Sequence, residues 1–181
     1  MAQRTEIRFE GLGGQGIVLA AVVLAEALGV HQGLEAVQTS VYDPETRGAS
    51  VRSEVVASAE PVNYPGAVRP DVVVAMSQKA ADNNTQLAEG GVLIVDPLFV
   101  ERIPTVAGRV YQVPVTRLAD ELGRRQAANM VMLGALARFV PIVSMASLEK
   151  SVTARAPRGT AELNLKALSA GYAAAAAAAA A

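Results

Sequence analysis

Apolar and polar residues follow one another in the first part of the chain in a pattern typical of a strand, a loop and a helix. Residues 6–10 alternate between polar and apolar, which predicts a short strand. A glycine-rich segment at 11–16 comes next. Residues 17–28 then form an apolar run without glycine or proline, which predicts a helix that ends at Gly29.

The middle of the chain carries further strand patterns, separated by loops and by one helix. Two runs, 71–76 and 92–95, are apolar at nearly every position, as in strands that are buried on both faces. Ser77 is placed to cap a helix that runs to about Leu87. The predicted strands after the first lie at 36–41, 51–57, 71–76, 92–95 and 109–113.

The last third of the chain has helical patterns, at 117–122, 127–140, 147–156 and 162–172. The helix at 127–140 is apolar nearly all round, so it must be covered on most sides, by its own core or by another protein. Strands alternating with helices favour a layered α/β domain, which we assign to residues 1–172. The run of alanine at 173–181 is set apart as a poly-alanine tail of unassigned identity.

Length, charge and composition exclude several classes of protein function. The length of 181 residues fits one domain. A net charge of −1 gives no electrostatic footprint for nucleic acid or an anionic membrane. The absence of cysteine excludes disulfides and iron–sulfur ligands on this chain, and one histidine leaves little for a zinc site or a catalytic triad. With no segment typical of a signal peptide or membrane span outside the alanine run, we expect a cytoplasmic protein.

The glycine-rich segment is the first candidate site. Gly11, Gly13 and Gly16 have the G-x-G-x-x-G spacing between a strand and a helix. Such a loop serves as a tight turn, or it holds a phosphate against the free amides of the helix. A dinucleotide site also needs an acid at the end of the second strand. Glu35 has the right spacing but precedes that strand, which argues against NAD or FAD.

A charged loop at 43–48 is the second candidate site. It follows a predicted strand, where ligands of α/β proteins commonly sit, although an ordinary solvated loop has the same composition. Arg47 is suited to pair with a phosphate or with a carboxylate of a partner. Elsewhere the simpler roles are favoured: Ser77 as a helix cap, and Met130 and Met132 as packing residues.

Several separated motifs resemble, in order, the gamma subunit of 2-oxoacid:ferredoxin oxidoreductases. The resemblance covers almost the whole chain up to Tyr172, and the loop at 42–50 is most similar to the 2-oxoglutarate type, with pyruvate and 2-oxoisovalerate types as alternatives. The matching segments are GLGGQG at 11–16, AVQT at 36–39, YDPETRGAS at 42–50, SEVV at 53–56, PDV at 70–72, NMVMLGA at 129–135 and AELNLKAL at 161–168.

The resemblance implies a three-layer, Rossmann-like α/β domain with a largely parallel, mixed central sheet and a helical C-terminal part. It implies a non-catalytic subunit without a complete active site or a metal ligand. Alpha and beta subunits would carry thiamine diphosphate, magnesium and [4Fe-4S] clusters, and the complex would convert a 2-oxoacid and coenzyme A to acyl-CoA, CO2 and reduced ferredoxin. Coenzyme A is the one ligand expected at this chain, at Gly11, Gly13, Gly14, Gln15, Gly16, Arg47 and Gly48.

Two other functions stay open on the sequence. The chain could be a purely structural or assembly module, whose glycines serve only the turn. It could also be an independent oxidoreductase that binds NAD or FAD, against which the position of Glu35 speaks.

Overall fold

The computed structural model describes residues 4–42 and 49–178. These residues form six strands and six α-helices. The strands are β1 (Thr5–Leu12), β2 (Glu35–Tyr42), β3 (Ser50–Ser58), β4 (Val72–Ala75), β5 (Val92–Val95) and β6 (Arg109–Gln112). The helices are α1 (Ile17–Glu26), α2 (Gln78–Asn83), α3 (Val115–Glu121), α4 (Ala128–Phe139), α5 (Met145–Arg155) and α6 (Ala161–Ala178).

The strands form one mixed sheet in the order β2-β3-β1-β4-β5-β6. Strand β1 pairs in parallel with β4, β4 with β5, and β5 with β6. Strand β3 lies between β1 and β2 and is antiparallel to both, so five strands point one way and β3 alone points the other. This confirms the predicted α/β fold with a largely parallel, mixed sheet.

The two faces of the sheet carry separate apolar cores. Because side chains alternate along a strand, Val72 and Val74 face one side of β4, and Val73 and Ala75 face the other. The first core, under α1 and α3 to α6, is much the larger. The second lies under α2 and the segment that follows β5. Burial on both faces explains why β4 and β5 have no polar positions.

Helix α4 is covered by its own domain. Ten consecutive residues, 128–137, are buried in it, and α6 lies against it. The two helices meet at glycines: a Cβ on Gly134 would overlap the backbone of Leu168, and a Cβ on Gly171 would overlap that of Val131. The apolar pattern allowed α4 to be covered by the domain's own core or by another protein, and the structure shows the first of these.

Three predicted helix ends were wrong. The last helix does not end at 172: α6 continues into the alanine run as far as Ala178, because Ala175 is buried in the first core. Helix α2 ends at Asn83 and not near Leu87, because Asn84 leaves helical geometry while its side chain donates hydrogen bonds to Glu10 and to the carbonyl of Ala80. The first helix does not end at Gly29. A π-helical turn at residues 27–31 prolongs α1, and the glycine with a left-handed backbone (φ 72°) is Gly33.

The second face of β1 and β3 is charged. Arg8 pairs with Glu54 at 2.7 Å, and Arg52 pairs with Glu10 at 2.9 Å. We call these four residues the charged face. Residues 59–70, the covering loop, lie against it, and the backbone amide of Ala67 donates to Glu54 at 2.9 Å. On this face, the covering loop packs against β1 and β3, whereas α2 packs against β4 and β5.

Candidate functional site

The sheet has a switch point between β1 and β4. The chain leaves β1 through α1 on the first face and continues toward β2, at one edge of the sheet. It leaves β4 through α2 on the second face and continues toward β5, on the other side. Because the two connections diverge, a crevice opens between the carboxyl ends of β1 and β4, which is where doubly wound α/β proteins bind ligands.

The predicted glycine loop lies in this crevice. It runs from the end of β1 to the first turn of α1, and Gly14 (φ 89°) and Gly16 (φ 74°) have the left-handed backbone that favours glycine. Gly16 is the N-cap residue of α1 and no side chain caps the helix. The first amides of α1 are therefore turned toward the crevice with the positive end of the helix dipole.

The glycines of the loop are of two kinds. A Cβ on Gly11 would clash with the side-chain oxygen of Gln15, and a Cβ on Gly16 would overlap the side chain of Asn129. Among the described residues, the nearest atom to a Cβ added at Gly13 is the carbonyl oxygen of Ala49 at 4.0 Å, and nothing lies within 4 Å of one added at Gly14. Packing thus accounts for Gly11 and Gly16, whereas Gly13 and Gly14 have open space beside them, although the amide of Gly13 itself donates to the carbonyl of Ala49 at 3.1 Å.

Gln15 joins the loop to the neighbouring strand. Its side-chain oxygen accepts a hydrogen bond from the amide of Leu12 at 2.6 Å, and its side-chain nitrogen donates to the carbonyl of Met76 at 2.9 Å. Both ends of the amide are therefore used within the protein. Gln15 holds the glycine loop against the end of β4, so its contribution to the site is to fix the position of the loop.

A cavity of about 410 Å³ lies beside the loop. This volume falls within the range of small-molecule sites. Its described lining residues are Gly14, Gln15, Met76, Phe99, Thr116, Arg125, Gln126 and Ala128. The lining is apolar on its walls, and Arg125 is the one charged residue among these eight. The cavity therefore favours a ligand that combines an apolar group with negative charge.

Thr116 is placed by a buried carboxylate behind the cavity. Asp96 follows β5, is only 1% exposed, and accepts hydrogen bonds from the amides of Leu98 (3.0 Å) and Thr116 (2.9 Å). It thereby connects the loop after β5 to the first turn of α3. Thr116 and Arg125 had no sequence signal, since they come from elements about a hundred residues from the glycine loop.

A second cavity, of about 310 Å³, lies on the charged face near the end of β2. Its described lining residues are Glu10, Val41, Tyr42, Ser50, Arg52, Lys79 and Asn83. Val41 and Tyr42 are 64% and 63% exposed here, directly before the predicted loop site. The predicted ligand residues Arg47 and Gly48 lie outside the described residues, together with the rest of 43–48.

Other predictions from the sequence are confirmed. Ser77 caps α2 and accepts a hydrogen bond from the amide of Ala80 at 3.1 Å. Met130 and Met132 are buried in the first core. Glu35 is the first residue of β2. Because β2 and β1 point the same way, Glu35 lies at the amino ends of these strands, whereas the glycine loop lies at their carboxyl ends.

The switch point, the glycine loop and the cavity define the class of doubly wound α/β domains with a crevice at the carboxyl ends of the central strands. Comparison with known proteins gives the family. Residues 6–174 match the family described as pyruvate ferredoxin/flavodoxin oxidoreductase. The chain is 46% identical, over 93% of its length and 92% of the relative's, to the 2-oxoglutarate synthase subunit KorC of Methanocaldococcus jannaschii.

Two solved structures extend the comparison. The gamma subunit of a keto/oxoacid ferredoxin oxidoreductase from Geobacter sulfurreducens is 39% identical, with a TM-score of 0.89 and coverage of 98% of this chain and 99% of that one. A 2-oxoglutarate:ferredoxin oxidoreductase from Magnetococcus marinus, with 2-oxoglutarate, coenzyme A and succinyl-CoA bound, is 26% identical, with a TM-score of 0.85 and coverage of 98% of this chain and 32% of that one.

The chain therefore belongs to the pyruvate ferredoxin/flavodoxin oxidoreductase family, as a gamma-type subunit of a 2-oxoacid:ferredoxin oxidoreductase. It is an oxidoreductase subunit without a complete active site, and its sequence contains no cysteine to hold an iron–sulfur cluster. In the part of the chain that the structure describes, no helix has the length and apolar character needed to cross a bilayer.

Proposed function

We propose that this chain is the gamma subunit of a 2-oxoglutarate:ferredoxin oxidoreductase and that it contributes the phosphate-binding part of the coenzyme A site. In this proposal it packs on alpha and beta subunits that carry thiamine diphosphate, magnesium and [4Fe-4S] clusters. The complex converts 2-oxoglutarate and coenzyme A to succinyl-CoA and CO2, and the two electrons pass to ferredoxin. The names of the relatives support the substrate and the ligand.

The open space at Gly13 and Gly14 carries the coenzyme A part of the proposal. Among the described residues, a Cβ at Gly13 would have only the carbonyl oxygen of Ala49 near it and one at Gly14 would have nothing within 4 Å, so packing does not require these two glycines, although the left-handed backbone of Gly14 favours glycine in any case. A diphosphate that approaches the loop and the N-terminus of α1 does require a glycine at Gly13, since a side chain there would stand in its way. The cavity beside Gly14 then offers room for the remainder of the nucleotide.

A dinucleotide is a poorer ligand for the same loop. In dinucleotide sites the acid that binds the ribose comes from the end of the strand next to β1. Here the reversed strand β3 occupies that position, and its end at the glycine loop is its amino end. Glu35 lies at the amino end of β2, and the glycine loop is at the carboxyl ends of the strands. The topology thus favours coenzyme A over NAD or FAD.

A purely structural role is the second candidate function, and Gly11 and Gly16 are the observation that favours it. Both are required by close packing against Gln15 and Asn129, whether or not a ligand binds. The two functions differ in what they predict for Gly13. A structural module would tolerate a side chain there without any change in coenzyme A kinetics.

The deciding experiment is Gly13→Val in the assembled oxidoreductase. We expect the KM for coenzyme A to rise about tenfold or more, which corresponds to the loss of about 1.4 kcal/mol of binding. Thiamine and iron contents of the complex should stay unchanged. Gly29→Ala is the matched control, because its new Cβ would lie at an ordinary 3.6 Å from Ala36 and far from the loop. An unchanged KM for coenzyme A in a fully assembled Gly13→Val complex would leave only the structural role.

A separate experiment tests the partners and the substrate. The chain is purified by affinity from its native host, under mild salt and without oxygen, and the eluate is assayed for iron and thiamine. We expect partner subunits with both cofactors and a turnover that is fastest with 2-oxoglutarate among 2-oxoglutarate, pyruvate and 2-oxoisovalerate. A chain recovered alone, with neither cofactor, contradicts the subunit assignment.

A further inference from the structure

Arg125 lines the cavity together with the glycine loop, although the two come from distant parts of the chain. It lies in a single 3-10 turn, Arg125–Ala127, that leads directly into α4. The loop contributes Gly14 and Gln15, which directly precede the N-cap of α1, to the same cavity. The cavity is thus lined by loop backbone next to a helix N-terminus and by an arginine from another element.

The guanidinium of Arg125 is held only loosely by the protein. Its nearest acidic partner is Asp120 at 3.8 Å, and the two side chains are 60% and 47% exposed. An ion pair this long and this exposed contributes little and exchanges readily for another anion. A phosphate that accepts two parallel hydrogen bonds from the guanidinium is a better partner, because the geometry of the two groups matches.

The groups that line different parts of the cavity indicate which phosphate of coenzyme A would bind Arg125. Coenzyme A carries a diphosphate and a separate 3′-phosphate on its adenosine. The glycine loop with its helix N-terminus suits the diphosphate. The walls at Met76, Phe99 and Ala128 suit the adenine ring, and Arg125 then remains as the cation for the single phosphate.

We infer that Arg125 binds the 3′-phosphate of coenzyme A and makes the site selective for coenzyme A over dephospho-coenzyme A. This inference rests on the proposed function and assigns a role to a lining residue that comes from a different element than the glycine loop. It predicts selectivity that depends on one guanidinium and is independent of the glycines.

The test compares two neighbouring arginines in the intact complex. Arg125→Gln removes the charge that lines the cavity, while Arg124→Gln removes another exposed charge next to it that is not among the lining residues. The Kd values of coenzyme A and of dephospho-coenzyme A are measured by titration calorimetry without 2-oxoacid, and the KM values are measured in turnover.

We expect Arg125→Gln to raise the Kd for coenzyme A about tenfold and to leave the Kd for dephospho-coenzyme A nearly unchanged. Arg124→Gln should preserve the preference of the wild type. An equal loss for both ligands, or no loss for either, would overturn the inference. Because Gly13→Val is expected to weaken both ligands alike, failure of the glycine-loop proposal is distinguishable from failure of the Arg125 inference.

Discussion

The two halves of the sheet bury their strands by different means. In the parallel half, all residues of β4 and β5 are buried, and both faces meet apolar side chains. In the antiparallel half, β1 and β3 direct residues such as Phe9 and Val55 into the first core and direct the charged face, Arg8, Glu10, Arg52 and Glu54, to the other side. Strands β4 and β5 are therefore apolar throughout, whereas β1 and β3 alternate.

The difference follows from what covers each half. A helix satisfies its own backbone hydrogen bonds, so α2 needs only apolar contacts from β4 and β5. The covering loop has amides and carbonyls left to satisfy. Arg4 donates to the carbonyls of Tyr64 and Gly66 at 2.9 Å, and Glu6 accepts from the amides of Val68 and Arg69 at 2.7 and 2.9 Å. Charged residues on a sheet can thus replace a helical layer by binding loop backbone.

The largest effect is expected from Leu93→Ala in the parallel half. Leu93 is fully buried in the second core, so the change should lower the free energy of unfolding by about 3 kcal/mol or more. Denaturant unfolding of the purified chain measures this. Val68→Ala, at a position that is 68% exposed in the covering loop, is the control and should stay within about 0.5 kcal/mol. A loss below about 1 kcal/mol for Leu93→Ala would contradict the two-sided burial of β5.

A smaller effect is expected from Arg8→Leu in the antiparallel half. The side chains of Arg8 and Glu54 are each 14% exposed, and Arg8 also donates to Asn84 at 2.9 Å. We expect a loss of about 2 kcal/mol, since Glu54 would keep only part of its partners. The covering loop should become the first site of proteolysis. In the double variant with Glu54→Leu, recovery of part of the stability is expected, and a simple sum of two losses would argue against coupling of the pair.

A third effect is expected from Gln15→Ala, at the boundary between β1 and β4, where the two halves of the sheet meet. The change removes the hydrogen bond that joins the glycine loop to the carbonyl of Met76, after β4, and a second one within the loop, from the amide of Leu12. We expect a loss of about 1–2 kcal/mol, together with faster amide exchange at Leu12. Gln126→Ala is the control, because Gln126 is exposed and lines the same cavity. Unchanged exchange at Leu12 would show that the loop holds its position without Gln15.

The smallest effect is expected from a fully exposed ion pair, as a contrast to the charged face. Lys166 donates to Glu162 at 2.8 Å on α6, and this hydrogen bond, with the charge of Lys166, lowers the pKa of Glu162 below its ordinary value of 4.5. A carboxylate with a lowered pKa stabilises the fold above its unfolded pKa, and this contribution is lost as the pH falls through the folded pKa. The Tm of Glu162→Gln should fall slightly below that of the wild type at pH 7 and converge with it near pH 3. A constant difference would exclude the ionised pair as its source.

Much of the fold could be predicted because periodicity reports burial directly. The apolar runs of β4 and β5, the alternation of β1 and β3 and the apolar α4 all appear in the sequence. The end of α2 could not, since it depends on a contact between Asn84 and Glu10, which are 74 residues apart. Local propensity has no information about such a partner.

The candidate site divides in the same way. The glycine loop could be found because strand, glycines and helix are contiguous in the chain. Asn129 packs against Gly16, and Ala49 is the nearest residue to a Cβ added at Gly13. Both residues are distant in the sequence, so only the folded chain shows which glycines are needed for packing. Arg125 is one of many surface arginines in the sequence, and it reaches the cavity because the start of α4 packs against the start of α1, where Asn129 lies against Gly16.

The contact between α4 and α6 also constrains how the protein is made. Both glycines of this contact must be present before the helices can close, and α6 leaves the ribosome after α4. Until then, the ten consecutive residues of α4 that end up buried have no cover on that side. A nascent chain cut short before residue 161 would keep an apolar helix in water, and we expect chaperones and proteases to remove such fragments before they accumulate.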